Sequence, residues 1–165
     1  MQLYDTDKDG KISGEELDRA PGLKASLTLL GTDKERGVTA DQIAARIGKW
    51  SDSHVGRAVV SCIVMHNGQP LSGATVKFIP ERFLADDLPE TASGTTRQTG
   101  LAMISMPAGP GSDTPPGVPP GMYRVEITKD DEDIPAKYNA ATVLGKEISI
   151  DNPEIEKGIQ FDLIY

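Results

Sequence analysis

The chain has 165 residues, enough for one domain or two small ones, and its 38% hydrophobic and 5% aromatic content is low but adequate for a core. A net charge of −8, from 17 basic and 25 acidic residues, argues against nucleic acid and anionic membrane surfaces as partners. The single cysteine, Cys62, excludes a disulfide framework and a cysteine zinc site. Its apolar surroundings read as those of a small buried thiol. No apolar run approaches the roughly 18 residues that would span a membrane. No signal peptide opens the sequence; if it is trimmed from a longer chain, that says nothing about the native address.

The first element is Asp5-Thr6-Asp7-Lys8-Asp9-Gly10-Lys11-Ile12-Ser13-Gly14-Glu15-Glu16, twelve residues that read as a calcium loop. A hard cation such as Ca²⁺ takes six to eight oxygens at about 2.3–2.6 Å. A short loop meets that demand with acids at alternate positions, a sharp turn and a bidentate acid at the far side. Asp5, Asp7 and Asp9 hold loop positions 1, 3 and 5, and Gly10 holds position 6, where the backbone turns. Lys11 would offer its backbone carbonyl, Ser13 a hydroxyl or a bridging water, and Glu16 both carboxylate oxygens. Ile12, at position 8, is the apolar residue whose backbone pairs with a neighbouring loop. Clusters of Asp, Gly, Lys and Ser also build acidic surface turns. Such a turn has no need of three alternating acids plus a glutamate beyond the glycine. On these residues the chain resembles the EF-hand family. Only Met1, Gln2, Leu3 and Tyr4 precede the loop, so the incoming helix is at most about one turn. Either the sequence is a piece of a longer protein, or this is a half-hand like those of dockerins.

Gly14 to Ala20 suits a helix that Pro21-Gly22 stops, and Leu23, Leu27 and Leu30 recur at helical spacing. Residues 31–42 then repeat the loop, with Val38 aligned to Ile12, 26 residues on. The repeat is degenerate: Gly31 replaces the first acid, Arg36 the glycine and Gln42 the closing glutamate, leaving Asp33 and Glu35 beside two basic side chains. It reads as a structural partner that pairs Val38 with Ile12, and a second ion there stays open. Thr39 can cap the following helix with Gln42 as its capping-box mate. That helix runs to about Trp50, with Ile43, Ala44 and Ile47 on one face.

After the polar stretch 51–56, read as a linker, the period changes from helix to strand. Val60, Cys62 and Val64 share one face of a strand that ends at the turn Asn67-Gly68. Ala74, Val76 and Phe78 alternate along a second. Residues 81–97 read as a long polar loop, and Leu101–Met106 as a strand after the turn Gln98-Thr99-Gly100. Pro107 to Pro120 is too rich in Pro and Gly for helix or central strand. Tyr123, Val125 and Ile127 alternate with Met122, Arg124 and Glu126 along a clear strand. Lys129-Asp130-Asp131-Glu132-Asp133 reads as a solvated tip, or a second, weaker cation site. Thr142–Ile150 and Gly158–Ile164 read as the last strands, with Phe161 and Leu163 facing inward.

The arrangement from Val60-Ser61 through Asn67-Gly68-Gln69-Pro70-Leu71-Ser72-Gly73-Ala74-Thr75-Val76-Lys77-Phe78 resembles the carboxypeptidase regulatory-like, transthyretin-like β-sandwich family. So do Thr99-Gly100-Leu101-Ala102, Pro119-Pro120-Gly121-Met122-Tyr123-Arg124-Val125 and the closing Phe161-Asp162-Leu163. The likeness covers roughly 57–165 and is to bacterial versions found in secreted or lipid-anchored envelope proteins. It implies fold more than activity, because the motifs are turns and core positions. Related hydroxyisourate hydrolases and intradiol dioxygenases need more histidines than His54 and His66 supply. Arg57 stands where isopeptide-forming domains place a lysine, and no Ser/His/Asp or Cys/His nucleophile set is readable.

The expectation is therefore an α+β, two-part protein. Residues 1–50 would form a small helical EF-hand pair, with loop 5–16 competent and loop 31–42 degenerate. Residues 57–165 would form a mostly antiparallel, seven-stranded, transthyretin-like (Ig-like) β-sandwich. The expected role is non-enzymatic: an extracellular, periplasmic or cell-envelope module with structural Ca²⁺, held by Asp5, Asp7, Asp9, Lys11, Ser13 and Glu16, and a protein or glycan partner. The alternatives are a dockerin-like module that docks onto a cohesin, and an enzyme with a site in loops 81–97 and 107–120.

Overall fold

The computed structural model describes residues 3–87, 90–106 and 116–165. Most of the reading of 107–120 as a loop therefore falls outside the described residues, as does the part of the loop-site alternative built on it. The first strand, β1 (Lys11–Ile12), leads into α1 (Gly14–Leu17) and α2 (Pro21–Ala25); β2 (Val38–Thr39) leads into α3 (Ala40–Asp52). Then follow β3 (Val60–His66), β4 (Gln69–Pro70), β5 (Thr75–Pro80), β6 (Ala92–Thr95), β7 (Leu101–Ile104), β8 (Gly121–Thr128), β9 (Gly145–Ile148), α4 (Pro153–Lys157) and β10 (Ile159–Leu163).

This overturns the expected fold class. Among the described residues the chain is mostly β, with ten strands in three sheets and four short helices, of which only α3 reaches seven residues. It is not a helical EF-hand pair followed by a seven-stranded transthyretin-like sandwich. Two local causes account for the difference. α1 stops at Leu17 and Pro21, expected to stop a helix, instead opens α2 at its first position, while past Ala25 the chain leaves the helix although Leu27 and Leu30 keep its spacing. Ser26 is fully buried there, its hydroxyl donating back to the Gly22 carbonyl at 2.9 Å. The added strands are short or polar. One of them, β6, is Ala-Ser-Gly-Thr, with no apolar alternation to announce it.

β1 and β2 pair antiparallel, with Ile12 opposite Val38 as the repeat suggested. Thr39 caps α3 in a capping box with Gln42. In the second sheet β10 runs parallel to β3, with Phe161 opposite Val64, while β4 and β7 pair antiparallel with β3. The third sheet has the antiparallel order β6-β5-β8-β9. Ser93 and Ser105 exchange backbone hydrogen bonds and tie the second and third sheets together. The side chains between these two sheets form one core that includes Val60, Cys62, Val64, Val76, Phe78, Tyr123, Val125, Ile127, Phe161 and Leu163.

A second core lies on the outer face of the third sheet. Tyr4, Ile12, Leu17, Leu23, Val38, Ile43 and Trp50 pack there against Met122 of β8 and Leu84. The fit is close enough to demand glycine at two places. A Cβ on Gly22 would come within 2.8 Å of the Tyr123 backbone, and one on Gly145 within 1.9 Å of the Pro21 carbonyl oxygen. Beside this core Arg46, 3% exposed, bonds Glu147, Ser149 and Asp151, and the Trp50 indole also donates to Glu147. No helix among the described residues is long and apolar enough to cross a membrane.

Candidate metal centre

The loop that enters β1 is shaped by its own side chains. Lys8 and Gly10 take positive φ, at 61° and 88°, and turn the chain back on itself. Asp7 accepts from the Asp9 amide at 3.1 Å, Asp9 from the Lys11 amide at 2.8 Å, and Asp5 Oδ2 from the Gly10 amide at 3.2 Å. The first two are the Asx turns that alternating aspartates make readily, and the third closes the loop across five residues. They aim three carboxylates at one point. Oxygens of Asp5, Asp7 and Asp9 lie within 4.8 Å of one another. Two oxygens bound to one calcium can stand at most about 5 Å apart, so the spacing fits a shared ion.

Asp5 adds a second sign of fit. Its Oδ1 is buried and has no hydrogen-bond partner, whereas Oδ2 is satisfied by Gly10. A buried carboxylate oxygen with no donor is costly, and a cation at the centre of the triad would satisfy it. Asp7 and Asp9 are exposed and Asp5 half-buried, leaving the triad open to an ion arriving from solvent.

The other three candidate ligands are placed differently. Lys11 lies in β1 opposite Thr39, and Ser13 is the N-cap of α1. Glu16, 8% exposed, is outside the aspartate group. Its Oε1 accepts from the Thr6 amide, the Thr6 hydroxyl at 2.9 Å and the Asp7 amide at 3.4 Å, while Oε2 accepts from the Ser13 amide at 3.1 Å. These donors, the Thr6 and Ser13 amides foremost, hold its carboxyl down at about 2. Glu16 thus clasps the two ends of the loop together. Joining the triad as a ligand would require it to give up some of these donors.

The remaining acid clusters carry their own cations. In the second loop Asp33 accepts from the Arg36 amide at 2.9 Å and its guanidinium at 2.7 Å, which keeps the acid below its usual range. At the tip 130–133, Lys129 bonds Glu132 at 2.9 Å and pairs with Asp131 at 3.4 Å. Among the described residues, Asp5, Asp7 and Asp9 are the one group of three or more acids, histidines or cysteines with metal-holding spacing.

Two buried residues next to this loop were not singled out from the sequence. Tyr4, the neighbour of Asp5, donates its hydroxyl to Glu81 at 2.8 Å, and the Gly22 amide donates to the same carboxylate at 2.7 Å. Burial raises the Glu81 carboxyl and the Tyr4 hydroxyl above their ordinary values. No short-range pattern announces a partnership across 77 positions. The chain matches no family model, and searches of curated proteins and of solved structures find no match either.

Proposed function

We propose that the chain is a non-enzymatic calcium-binding module in which Asp5, Asp7 and Asp9 supply the first ligands and the ion has a structural role. The observation that carries this reading is the convergence of three carboxylates within 4.8 Å around an Asp5 oxygen that is buried and has no donor. The Lys11 carbonyl, Ser13 and Glu16 complete the proposed ligand set from the closing side of the loop. An ion there would hold the twelve-residue segment that contains β1 and the start of α1 and that supplies Ile12 to the second core. We place the module in an extracellular or cell-envelope setting, where millimolar calcium suits a site of modest affinity, and assign its β-sheet body to a protein or glycan partner.

Thermal unfolding in chelator and in calcium tests the reading. An ion that binds only the folded state stabilises it by RT ln(1 + [L]/Kd). With a dissociation constant of about 10⁻⁴–10⁻³ M, 10 mM calcium should raise the midpoint by about 3–10 °C over chelator. Asp5→Ala should abolish the shift. An equal midpoint in calcium and chelator would overturn the proposal. Magnesium at the same concentration should do less, because it demands tighter octahedral geometry and gives up water reluctantly.

A further inference from the structure

Resting on the calcium reading above, we infer that Tyr4 and Glu81 are positioning residues for the metal loop, and that one carboxylate from the β-sheet body sets its affinity for the ion. Glu81 follows directly on β5 and is 2% exposed. Its Oε2 accepts from the Tyr4 hydroxyl at 2.8 Å and its Oε1 from the Gly22 amide at 2.7 Å. Tyr4 is 4% exposed, its ring edge-on to Phe83 with centroids 6.2 Å apart, and its hydroxyl accepts from the Arg82 amide at 3.3 Å. Asp5 is bonded covalently to Tyr4. Gly22, in the first turn of α2, follows closely on α1, whose Glu16 clasps the far side of the loop.

The two sides of the loop are therefore tethered to one buried anion. Tyr4 fixes where Asp5 begins, and Gly22 fixes where α2 starts after α1. Ligands held before the ion arrives lose less freedom on binding it, so the tether raises affinity without touching the metal. The coupling is reciprocal: an ion on the aspartates must hold Tyr4 against Glu81 as firmly as Tyr4 holds the aspartates for the ion. Removing the Tyr4 hydroxyl leaves Glu81 Oε2 buried and short of a donor, which favours states in which the N-terminal segment lifts from the sheet.

Calorimetric calcium titration of the full chain tests this with four proteins: unaltered, Tyr4→Phe, Glu81→Gln and Trp50→Phe. Trp50 shares the same core and donates to Glu147 at 3.1 Å, away from the loop, so its variant reports general loosening of the packing. Tyr4→Phe and Glu81→Gln should weaken calcium binding about three- to tenfold, less than a hydrogen bond to a buried charge itself contributes, because only part of the lost tether is felt at the ion. Trp50→Phe should lower the unfolding midpoint but leave calcium affinity unchanged. Unaltered affinity in both Tyr4→Phe and Glu81→Gln, with the parent chain binding calcium, would overturn this inference alone. An equal weakening in Trp50→Phe would overturn it too, by reducing the effect to stability. Failure of the parent chain to bind calcium would remove the calcium reading and this inference together.

Discussion

Replacing Gly145 with alanine probes whether the N-terminal segment that carries loop 5–16 and the β-sheet body are one packed unit. The new Cβ would lie 1.9 Å from the Pro21 carbonyl oxygen, 2.1 Å from its carbon and 2.5 Å from the Gly22 nitrogen. All three are backbone atoms, so no side chain can swing aside. Restoring ordinary contact requires α2 to move off β9 by more than an ångström. Such overpacking costs about 1–3 kcal/mol. The same shift stretches the bond from the Gly22 amide to Glu81, now 2.7 Å, and a hydrogen bond to a buried charge adds about 1.5–3 kcal/mol. The expected loss is about 2.5–6 kcal/mol, a large share of the roughly 5–15 kcal/mol that holds a domain folded. Urea unfolding followed by far-ultraviolet circular dichroism measures it. Gly48, inside α3 with nothing within 4 Å of its would-be Cβ, is the control. Alanine there should stabilise by about 0.5–1 kcal/mol, because glycine is a poor helix residue. A Gly145→Ala chain within 1 kcal/mol of the parent would refute the tight apposition of α2 and β9.

Arg46→Met should cost about 3–5 kcal/mol by leaving the buried Glu147 carboxylate with the Trp50 indole as its remaining side-chain donor, and Arg46→Met/Glu147→Met should recover most of it. A double variant no more stable than the single one in urea would contradict that pairing. Acid should weaken the fold along a definite path. Glu16 and Asp151 are held at about 2, the first mainly by the Thr6 and Ser13 amides and the second mainly by Arg46, against ordinary values of 4.5 and 3.8. Their stabilisation is present above those ordinary values and is lost as pH falls through the window down to about 2. Glu81, raised by burial, works in the opposite sense: its contribution is present at low pH and lost as pH rises through its elevated value. Urea midpoints in chelator should therefore drop steeply between pH 4.5 and pH 2, and less so in Glu16→Gln. A flat profile across that window would show these carboxylates to be unpaired in solution.

Short-range chemistry was legible in the sequence, and long-range chemistry was not. Ile12 and Val38 occupy the same position of two repeated loops, so their pairing followed from alignment alone. Thr39 and Gln42 are three residues apart and cap α3 by local bonds. Val60, Cys62 and Val64 alternate because one face of β3 is buried. By contrast, β6 is a strand because it pairs with β5, about 17 positions away, and its Gly94 is required because a Cβ there would lie 2.1 Å from the Met103 carbonyl oxygen of another strand. The leucine spacing from Leu23 to Leu30 read as helix, yet the chain turns after Ala25 to bury Ser26 beneath it. Arg46 sits among the apolar residues of α3 because its anions lie about a hundred positions away. In loop 5–16 the alternate spacing is local, and oxygens of Asp5, Asp7 and Asp9 do lie within 4.8 Å of one another. It could not show that Glu16 would already be bonded to Thr6 and Ser13.

The central claim is that the Asp5–Glu16 loop holds one calcium ion, and isothermal titration of the decalcified chain with CaCl₂ tests it most directly. One ion per chain should bind, with the heat lost in Asp5→Ala and affinity reduced in Glu16→Gln. No saturable heat from the parent chain, or the same isotherm from Asp5→Ala, would contradict it.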